Sequence, residues 1–400
     1  MRLRMSLQSR RELLSSQRGR YRDADRSFKG QILNELVAAT GYNREYATTL
    51  LNQPPKRHSR VVAPRRRKRT YTTDTQRALT ELWKLGGGLC GKRLVALIPD
   101  LLDALERFDE IEYSEATKEQ LGRISAATAD RLLCSARRGQ QPVGLSTTRP
   151  GTLLKKHIPV RTFADWSEDQ AGFTEADLVA HCGETVAGTY LNTLNLTDVK
   201  TGWTECEALP NKSQASVSCA VHKIRRRLPF ALLGLDTDNG TEFINETLLR
   251  YCEEEMITFS RGRPYKKNDQ CFVEQKNFTV VRKAIGYNRL EGDACCQALN
   301  RYYQALRLWV NFFQPSMKLA AKDRQGSKVY KRYDPPKTPY RRVLDCPEVP
   351  TWLKDRLQQQ FQSTNPATLI EEMDKFKATL WKTDKLRFLN EATNQPELDS

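Results

Sequence analysis

An acidic turn that directly follows a short apolar run constrains this chain more than any other feature. The apolar run, Phe230–Leu235, predicts a buried strand. The residues after it, Asp236-Thr-Asp238-Asn-Gly240, favour a turn and would place a carboxylate at the end of that strand. Helical spacing of apolar residues across 245–255 then predicts a helix, and Ile257–Phe259 predicts another brief strand.

Two further segments contribute carboxylates to the same region. Residues 260–269 are polar and basic and predict a loop, and the helical pattern that follows places Glu274 in the first turn of a helix. Upstream, residues 173–180 alternate like a strand and contain Asp177. Two strands and one helix would therefore each carry a carboxylate, and we expect the three groups to lie near one another.

This ordered set resembles the catalytic core of the retroviral-integrase superfamily, and within it the DDE transposases of bacterial insertion sequences. The resemblance rests on Asp177, on the motif Asp238-Asn-Gly-x-Glu-Phe243, and on the thirty-five residues between Asp238 and Glu274. Residues 198–203 and 262–269 support it, and it covers residues 160 to 345 approximately. Any one motif is weak evidence, whereas the set with this spacing is specific.

The resemblance implies both a fold and an activity. The fold would be an α/β, ribonuclease-H-like catalytic core with a mixed sheet, in the order strand, strand, strand, helix, strand, helix, strand, helix. Asp177, Asp238 and Glu274 would be the catalytic residues and the ligands of two Mg²⁺ ions, which Mn²⁺ can replace. The partners would be DNA, namely the terminal repeats of a mobile element and its target, with the protein acting as a homo-oligomer on DNA.

Gathered carboxylates suit phosphoryl transfer. Hard oxygen ligands can hold two Mg²⁺ ions that activate the nucleophile and stabilise the leaving oxygen. Without metal these groups repel one another, so structure alone gives no reason to gather them. Glu175 and Asp236, each two residues before a motif aspartate, compete for the same roles.

Other neighbours of the motif have structural interpretations. We expect Glu242 to be structural, as a possible cap of the following helix. His181 and Cys182 follow the first strand and could support the site, although a packing role for the histidine is more common.

Positive charge is concentrated at two places in the chain. The net charge is +17, with 18 Lys and Arg against 5 Asp and Glu in residues 1–70, and 9 against 2 in residues 314–342. Basic blocks on either side of a nuclease-like core indicate a nucleic-acid partner rather than a merely soluble surface.

Two helical pairs could read DNA. Residues 28–51 contain two apolar stripes separated by Gly41, which is typical of a helix-turn-helix but also of a plain helical hairpin. Residues 73–135 predict a second such unit, with Pro99 bending or splitting its longest helix. Residues 10–26 are polar and expected to be poorly ordered in isolation. The residues expected to contact DNA are Arg44, Arg65, Arg66, Arg67, Lys68, Arg69, Arg123, Thr128, Arg131, Lys266, Lys267 and Lys276.

The composition shifts divide the chain into six segments. We expect a helix-turn-helix module at 1–55, a basic linker at 56–72, a second helical module at 73–135, a linker at 136–160, the catalytic core at 161–313, and a basic extended segment with C-terminal helices at 314–400. Residues 1 to 135 should then bind end DNA without the core.

The cysteines and the hydropathy pattern exclude several other classes. Ten cysteines form no Cys-x-x-Cys pair and no zinc-spaced cluster, so we expect reduced thiols in a cytoplasmic, nucleoid-associated protein. Neither a signal peptide nor a membrane span is expected.

The sequence thus favours a transposase that cleaves and joins DNA. A catalytically inactive, transposase-derived DNA-binding regulator is the alternative, and a plain ribonuclease-H-type nuclease would not need the two helical pairs.

Overall fold

The computed structural model describes residues 5–53, 70–137, 170–238, 240–262, 270–325 and 327–393. The chain divides into two compact units, residues 1–70 and 71–400. No helix in these described ranges is both long and apolar enough to cross a membrane.

The first unit consists of three helices, α1 (Leu7–Asp23), α2 (Arg26–Thr40) and α3 (Arg44–Asn52). Side chains of Ser6, Asp25 and Asn43 cap their N-termini by accepting hydrogen bonds from backbone N–H groups. Gly41 ends α2 in the left-handed conformation, with φ of 69°, and so allows the short turn to α3. The helical pair expected in residues 28–51 is therefore present.

Helix α1 covers most of residues 10–26, which are expected to be poorly ordered in isolation, and contacts with the other two helices hold it in place. Leu14 and Tyr21, seven residues apart, lie on one face of α1 and are buried in the core of the unit. The Arg18 Nε–H also donates to the carbonyl of Leu50 in α3 (3.1 Å). This apolar face and the long-range hydrogen bond order a segment whose mean composition is polar.

The second unit begins with four helices, α4 (Thr73–Leu85), α5 (Gly91–Arg107), α6 (Glu115–Arg123) and α7 (Ala126–Leu132). Pro99 lies inside α5, which continues without a break, so the predicted split does not occur. Pro99 is exposed, whereas Leu94, Ile98 and Leu101 are buried. The apolar stripe of α5 therefore keeps its packing on both sides of the proline.

A five-stranded mixed sheet forms the centre of the second unit. Its strands are β1 (Phe173–Ala180), β2 (Asn192–Asp198), β3 (Thr204–Leu209), β4 (Gly234–Thr237) and β5 (Thr258–Arg261), in the spatial order β3-β2-β1-β4-β5. The first three strands pair antiparallel, and β4 and β5 run parallel to β1. This order is consistent with a ribonuclease-H-like core.

Helices follow the strands in the expected order. They are α8 (Gln214–Arg225), α9 (Glu246–Glu254) and α10 (Cys271–Lys276), and α10 continues as a π-helical segment (Asn277–Arg282) and a short α11 (Lys283–Ile285). The strand predicted at 230–235 begins later, at Gly234. Its partner β1 begins at Phe173, which is in register with Gly234, and the pairing of β4 with β5 also begins at Gly234.

Helix α12 (Asp293–Phe313) leads into an exposed β-hairpin, β6 (Leu319–Gln325) and β7 (Lys328–Tyr333). Three helices close the described chain: α13 (Pro339–Asp345), α14 (Thr351–Gln362) and α15 (Pro366–Thr393). The basic segment expected to be extended is therefore a hairpin in part, and the two C-terminal helices predicted from 349–381 are present as α14 and α15.

The two faces of the sheet have different covers. Ala176 on β1 packs in the apolar cluster of α8 and α9, whereas Val179 belongs to the cluster of α12. Because strand residues alternate between faces, odd-numbered residues of β1, including Glu175 and Asp177, lie on the face of α10 and α12.

Helices α4–α7 do not form a core of their own. Leu82 and Leu97 belong to the same hydrophobic cluster as Trp203 and Phe312. Helices α4 and α5 both pack against α15, and α5 also packs against α12. The expected boundary at residue 135 therefore does not separate two cores, since the buried faces of α4 and α5 are completed by the C-terminal helices.

Candidate active site

Two aspartates lie side by side on adjacent parallel strands, one within β1 and one directly after β4. Glu175 on β1 is in register with Asp236 on β4, and the next residue of the same face on each strand is Asp177 and Asp238. Asp238 directly follows the last residue of β4. Strand alternation therefore gives two carboxylate pairs on one face of the sheet.

The first pair, Glu175 and Asp236, is hydrogen-bonded to neighbouring elements. Glu175 is fully buried, and its Oε2 accepts hydrogen bonds from the backbone N–H groups of Phe272 (2.9 Å) and Val273 (2.8 Å). It thereby fixes the N-terminus of α10, where carboxylates are favourable. Asp236, also buried, accepts from the Ser260 hydroxyl (2.6 Å) and the Gln270 amide (3.3 Å). Both carboxylates hold neighbouring elements in place.

The second pair, Asp177 and Asp238, is coupled electrostatically. The pKa of Asp177 is raised to about 7, mainly by burial and then by the carboxylate of Asp238, with a smaller effect of Glu274, against hydrogen bonds that lower it. Burial also raises the pKa of Asp238, whose Oδ1 accepts from the Gly240 N–H (2.9 Å). The repulsion expected among the three predicted carboxylates is thus felt at Asp177.

Glu274 lies in the first turn of α10, as expected, with its side chain exposed. No three His, Cys, Asp or Glu side chains converge as a ready metal cluster in the part of the chain that the structure describes. Asp177 and Asp238 offer hard oxygen donors on one face, which suits a divalent cation. Glu274 influences Asp177 without completing a closed set of ligands.

An amide chain that the sequence did not single out orients Asp177. Asn277 Nδ2 donates to Asp177 Oδ2 (2.6 Å), and Asn195 Nδ2 donates to Asn277 Oδ1 (2.7 Å). Asn195 is the cross-strand partner of Asp177 on β2. Asn277 follows Glu274 by three residues, one helical turn away, and that spacing is the signal that could have found it. The helix changes from α to π hydrogen bonding at this residue, a change common at functional sites.

Glu242 has a different place from the predicted one. Asn245, not Glu242, caps α9 by accepting from the Leu248 N–H (2.8 Å). A Cβ on Gly240 would lie 2.7 Å from Glu242 Cδ and 2.9 Å from Asp238 Oδ1. A side chain at residue 240 would therefore displace one of these two carboxylates, and Glu242 is a fourth acidic group beside the site that also raises the pKa of Asp238.

His181 is a packing residue. Its Nε2 is 2.7 Å from the Thr193 hydroxyl, which in turn is 2.7 Å from the Tyr303 hydroxyl. Burial lowers its pKa to about 3, so the imidazole is neutral. Cys182 is buried beside it and pairs through its backbone with Arg289. Neither residue contacts the carboxylates through a described hydrogen bond.

The residues predicted to bind DNA are spread over the chain. Arg44 begins α3 and donates to the Asn34 amide oxygen. Arg123 ends α6 and pairs with Glu119 (2.7 Å), while on α7 Arg131 donates to the Thr128 hydroxyl (2.9 Å). Arg65, Arg66, Arg67, Lys68, Arg69, Lys266 and Lys267 lie outside the described residues.

Lys276 does not lie among the carboxylates. Its pKa is lowered to about 8, mainly by burial and then by the charge of Arg93, with smaller effects of Arg342 and Lys318. Its side chain lines a separate cavity that none of the three carboxylates reaches.

Comparison with known proteins gives one family relationship. No protein-family model matches the chain. The uncharacterized protein y4rM of Sinorhizobium fredii (strain NBRC 101917 / NGR234) is 40% identical over 353 residues, which are 86% of this chain and 97% of the relative. This chain belongs to the y4rM family.

A solved structure provides a looser likeness. The catalytic core domain of BIV integrase, in crystal form I, is 16% identical and covers 44% of this y4rM-family chain and 95% of its own length, with a TM-score of 0.29. The description of the fold rests on the strand order of the sheet and not on this overlay.

Proposed function

We propose that this y4rM-family protein is a DDE-type transposase that binds the ends of a mobile DNA element in the cytoplasm and catalyses metal-dependent cleavage and strand transfer. One observation carries the proposal. Asp177 on β1 and Asp238 directly after β4 lie side by side on one face of two parallel strands, and Glu274, on a helix fixed over the same face, raises the pKa of Asp177.

Asp177 and Asp238 would hold Mg²⁺, or Mn²⁺ in its place, with Glu274 as the third ligand. When bound, two such ions supply nucleophile activation and stabilisation of the leaving oxygen. The chain itself positions the ligands: Asn277 orients Asp177, the Gly240 N–H orients Asp238, and Glu175 fixes the helix that carries Glu274. Asp177 must lose its proton to bind a cation, so metal binding should release protons near neutral pH.

DNA would be bound by elements other than those that carry the carboxylates. The α2–α3 pair has helix-turn-helix order, with Arg44 at the start of the second helix, and α6–α7 form a second short pair that carries Arg123, Thr128 and Arg131. The exposed β6–β7 hairpin adds lysines, arginines and two tyrosines. Such elements can lie on phosphates or enter a groove.

The alternative is a DNA-binding regulator without catalysis. The exposed position of Glu274, and the absence of a closed three-ligand cluster among the described residues, favour this alternative. The three coupled carboxylates favour the enzyme, because nothing in a regulator requires this repulsion to be retained.

A strand-transfer assay with Mg²⁺ or Mn²⁺ on end-containing DNA decides between the two. Asp177→Asn, Asp238→Asn and Glu274→Gln should each lose activity by several orders of magnitude while binding DNA, because each removes a ligand and keeps the shape of the side chain. Asp236→Asn and Glu175→Gln, checked for folding, should retain measurable activity, and Glu246→Gln on the exposed start of α9 is the matched control.

Two outcomes would reject parts of the proposal. A wild-type protein that binds the end DNA but neither cuts nor joins it is a regulator. A folded Glu274→Gln protein with near-normal joining would remove Glu274 from the site.

A further inference from the structure

A cavity of about 400 Å³ lies beside the catalytic face, within the second unit. Its walls come from the α4–α5 connection, the π-helical segment with α11, α12 and α15. This volume is in the range of small-molecule sites in proteins. None of Asp177, Asp238 and Glu274 lines it, so it is distinct from the candidate active site.

The charge of the cavity is strongly one-sided. Of the described residues, five cations and one carboxylate, Asp374, line it; the cations are Lys84, Arg93, Lys276, Lys283 and Lys377. None of these five forms an ion pair with any carboxylate in the described ranges. Gathering five positive charges around one carboxylate is unfavourable, and an anion in the cavity would relieve the repulsion.

Two of the cations are held by backbone oxygens. Lys283 Nζ donates to the Gly87 carbonyl (2.8 Å), and Arg93 Nε donates to the Pro315 carbonyl. These bonds fix the side chains and leave their positive charge uncompensated. Lys276 is partly buried in the same lining and has no hydrogen-bond acceptor among the described residues.

The opposite wall is apolar and contains a fixed aromatic ring. Trp309 is half-buried, and its Nε1–H donates to the Leu85 carbonyl (3.1 Å). Gly87 has φ of 67°, and a Cβ there would lie 2.5 Å from Trp309 Cη2, so only glycine allows the loop to approach the indole. Leu306 and Met373 extend this wall.

We propose that this cavity binds a nucleotide, with its phosphate on Arg93, Lys276 and Lys283 and its base against Trp309 and Leu306. An ion such as inorganic phosphate would use the cations but not the apolar wall. A nucleotide matches both, because its base has a flat apolar face and stacks on aromatic side chains. The nucleotide is either free or part of a DNA strand, and the second source rests on the proposed function.

Calorimetric titration of the full-length protein in EDTA tests the proposal with three probes: deoxyadenosine monophosphate, inorganic phosphate and deoxyadenosine. We expect the monophosphate to bind more tightly than either of the others. Lys276→Met should weaken it at least tenfold, and Lys377→Met should weaken it to a smaller extent. Lys375→Met, on the exposed side of the same helix, is the matched control and should bind like the wild type.

The aromatic wall has its own pair of variants. Trp309→Leu should weaken the monophosphate at least tenfold and leave inorganic phosphate unchanged, whereas Trp309→Phe should restore part of the loss. Circular dichroism confirms that each variant folds. If phosphate and the monophosphate bind equally well and the Trp309 variants do not change this binding, the cavity is only an anion site and the proposal is overturned. Monophosphate binding that Lys276→Met does not affect would also overturn it.

A short single-stranded DNA, titrated into the Asp177→Asn protein in EDTA, separates the two sources. If the strand binds more tightly than the monophosphate and Lys276→Met removes this binding, the cavity takes a nucleotide of DNA. If Lys276→Met affects only the monophosphate, the cavity takes a free nucleotide. Neither arm requires cleavage, so a wild-type protein without strand-transfer activity would reject the proposed function and leave the cavity result intact.

Discussion

Glu175 and Asp236 have a different role from Asp177 and Asp238, and their hydrogen-bond partners distinguish the two pairs. Glu175 and Asp177 are two residues apart, as are Asp236 and Asp238, so strand periodicity places all four carboxylates on one face of the sheet. Residue alternation therefore narrows the strand carboxylates to these four, and only the resemblance favours Asp177 and Asp238 among them. The choice depends on partners from distant elements, such as the α10 N–H groups on Glu175, which local patterns do not encode.

Glu175→Gln should destabilise the protein. The carboxylate accepts two backbone N–H groups inside the core, and an amide replaces a charge-assisted acceptor by a weaker one. We expect a loss of about 1–3 kcal/mol in the free energy of unfolding. Chemical denaturation monitored by circular dichroism measures it.

Glu246→Gln is the control for this change. Glu246 is exposed in the first turn of α9 and, within the described ranges, its one ion pair is with Arg250, so the substitution should cost about 0.5 kcal/mol or less. Equal destabilisation by both variants would show that Glu175 does not hold α10.

Asp177 should make the metal-free protein less stable as the pH rises. Its pKa is about 7 in the folded protein, above the usual value near 4 in an unfolded chain. The favourable, protonated state is therefore fully present below about pH 4 and is lost as the pH rises through about 7. Asparagine does not ionise, so the Asp177→Asn protein does not lose stability in this way. In EDTA its free energy of unfolding should exceed that of the wild type by an amount that grows between these pH values to about 4 kcal/mol at most.

Thermal melts at a series of pH values, with and without Mg²⁺, check this expectation. Mg²⁺ should reduce the advantage of Asp177→Asn above pH 7, because only the wild type offers the full ligand pair. A stability difference that is constant from pH 4 to pH 8 would contradict the coupling of Asp177 with its neighbours.

At the scale of elements, the sheet and the order of its helices follow from the sequence, while several boundaries do not. Alternation and turn residues place β1, and helical spacing places α9 and Glu274. Helix α1 and the start of β4 depend on partners distant in the chain, namely α3 and β1. Elements that are stabilised by tertiary contacts rather than by local pattern are the ones that the sequence places poorly.

The β6–β7 hairpin should contribute to DNA binding. Both strands are exposed along their whole length, and Lys322 is directly opposite Lys331, an unfavourable like-charge pair. A DNA phosphate between them would offset this repulsion. The double change Lys322→Gln and Lys331→Gln should reduce the slope of log affinity against log salt by about 1 for each phosphate that the protein no longer neutralises.

Salt titrations of DNA binding by fluorescence anisotropy measure that slope. Arg356→Gln, an exposed change on α14, is the control and should leave the slope unchanged. The hairpin has no role in DNA binding if the double variant keeps the wild-type slope and affinity at every salt concentration.

At the scale of the whole molecule, the sequence predicted the modules from composition but not which of them share a core. The glycine- and proline-containing stretch after residue 135 is a linker by composition, yet α4 and α5 pack with α12 and α15. Apolar stripes show that a helix face is buried, but they do not show which partner buries it. The division of the chain at residue 70 follows from contacts alone.

A fragment that ends at residue 135 should therefore fail to fold in its second half, whereas cuts at residue 70 should yield two folded pieces. Residues 1–70 keep the whole small core around Leu36 and Leu51, and residues 71–400 keep the shared core. Cutting at 135 would expose the apolar faces of α4 and α5, including Leu82 and Leu97, and we expect aggregation. Circular dichroism melts and size-exclusion chromatography of the three fragments test this.

The same 1–70 fragment, titrated with salt on end DNA and on scrambled DNA, then tests the first helical pair by itself. Preference for end DNA would assign sequence reading to α2–α3. In the folding test, a monodisperse 1–135 fragment with a cooperative melt in both halves would show that α4–α7 fold without the C-terminal helices.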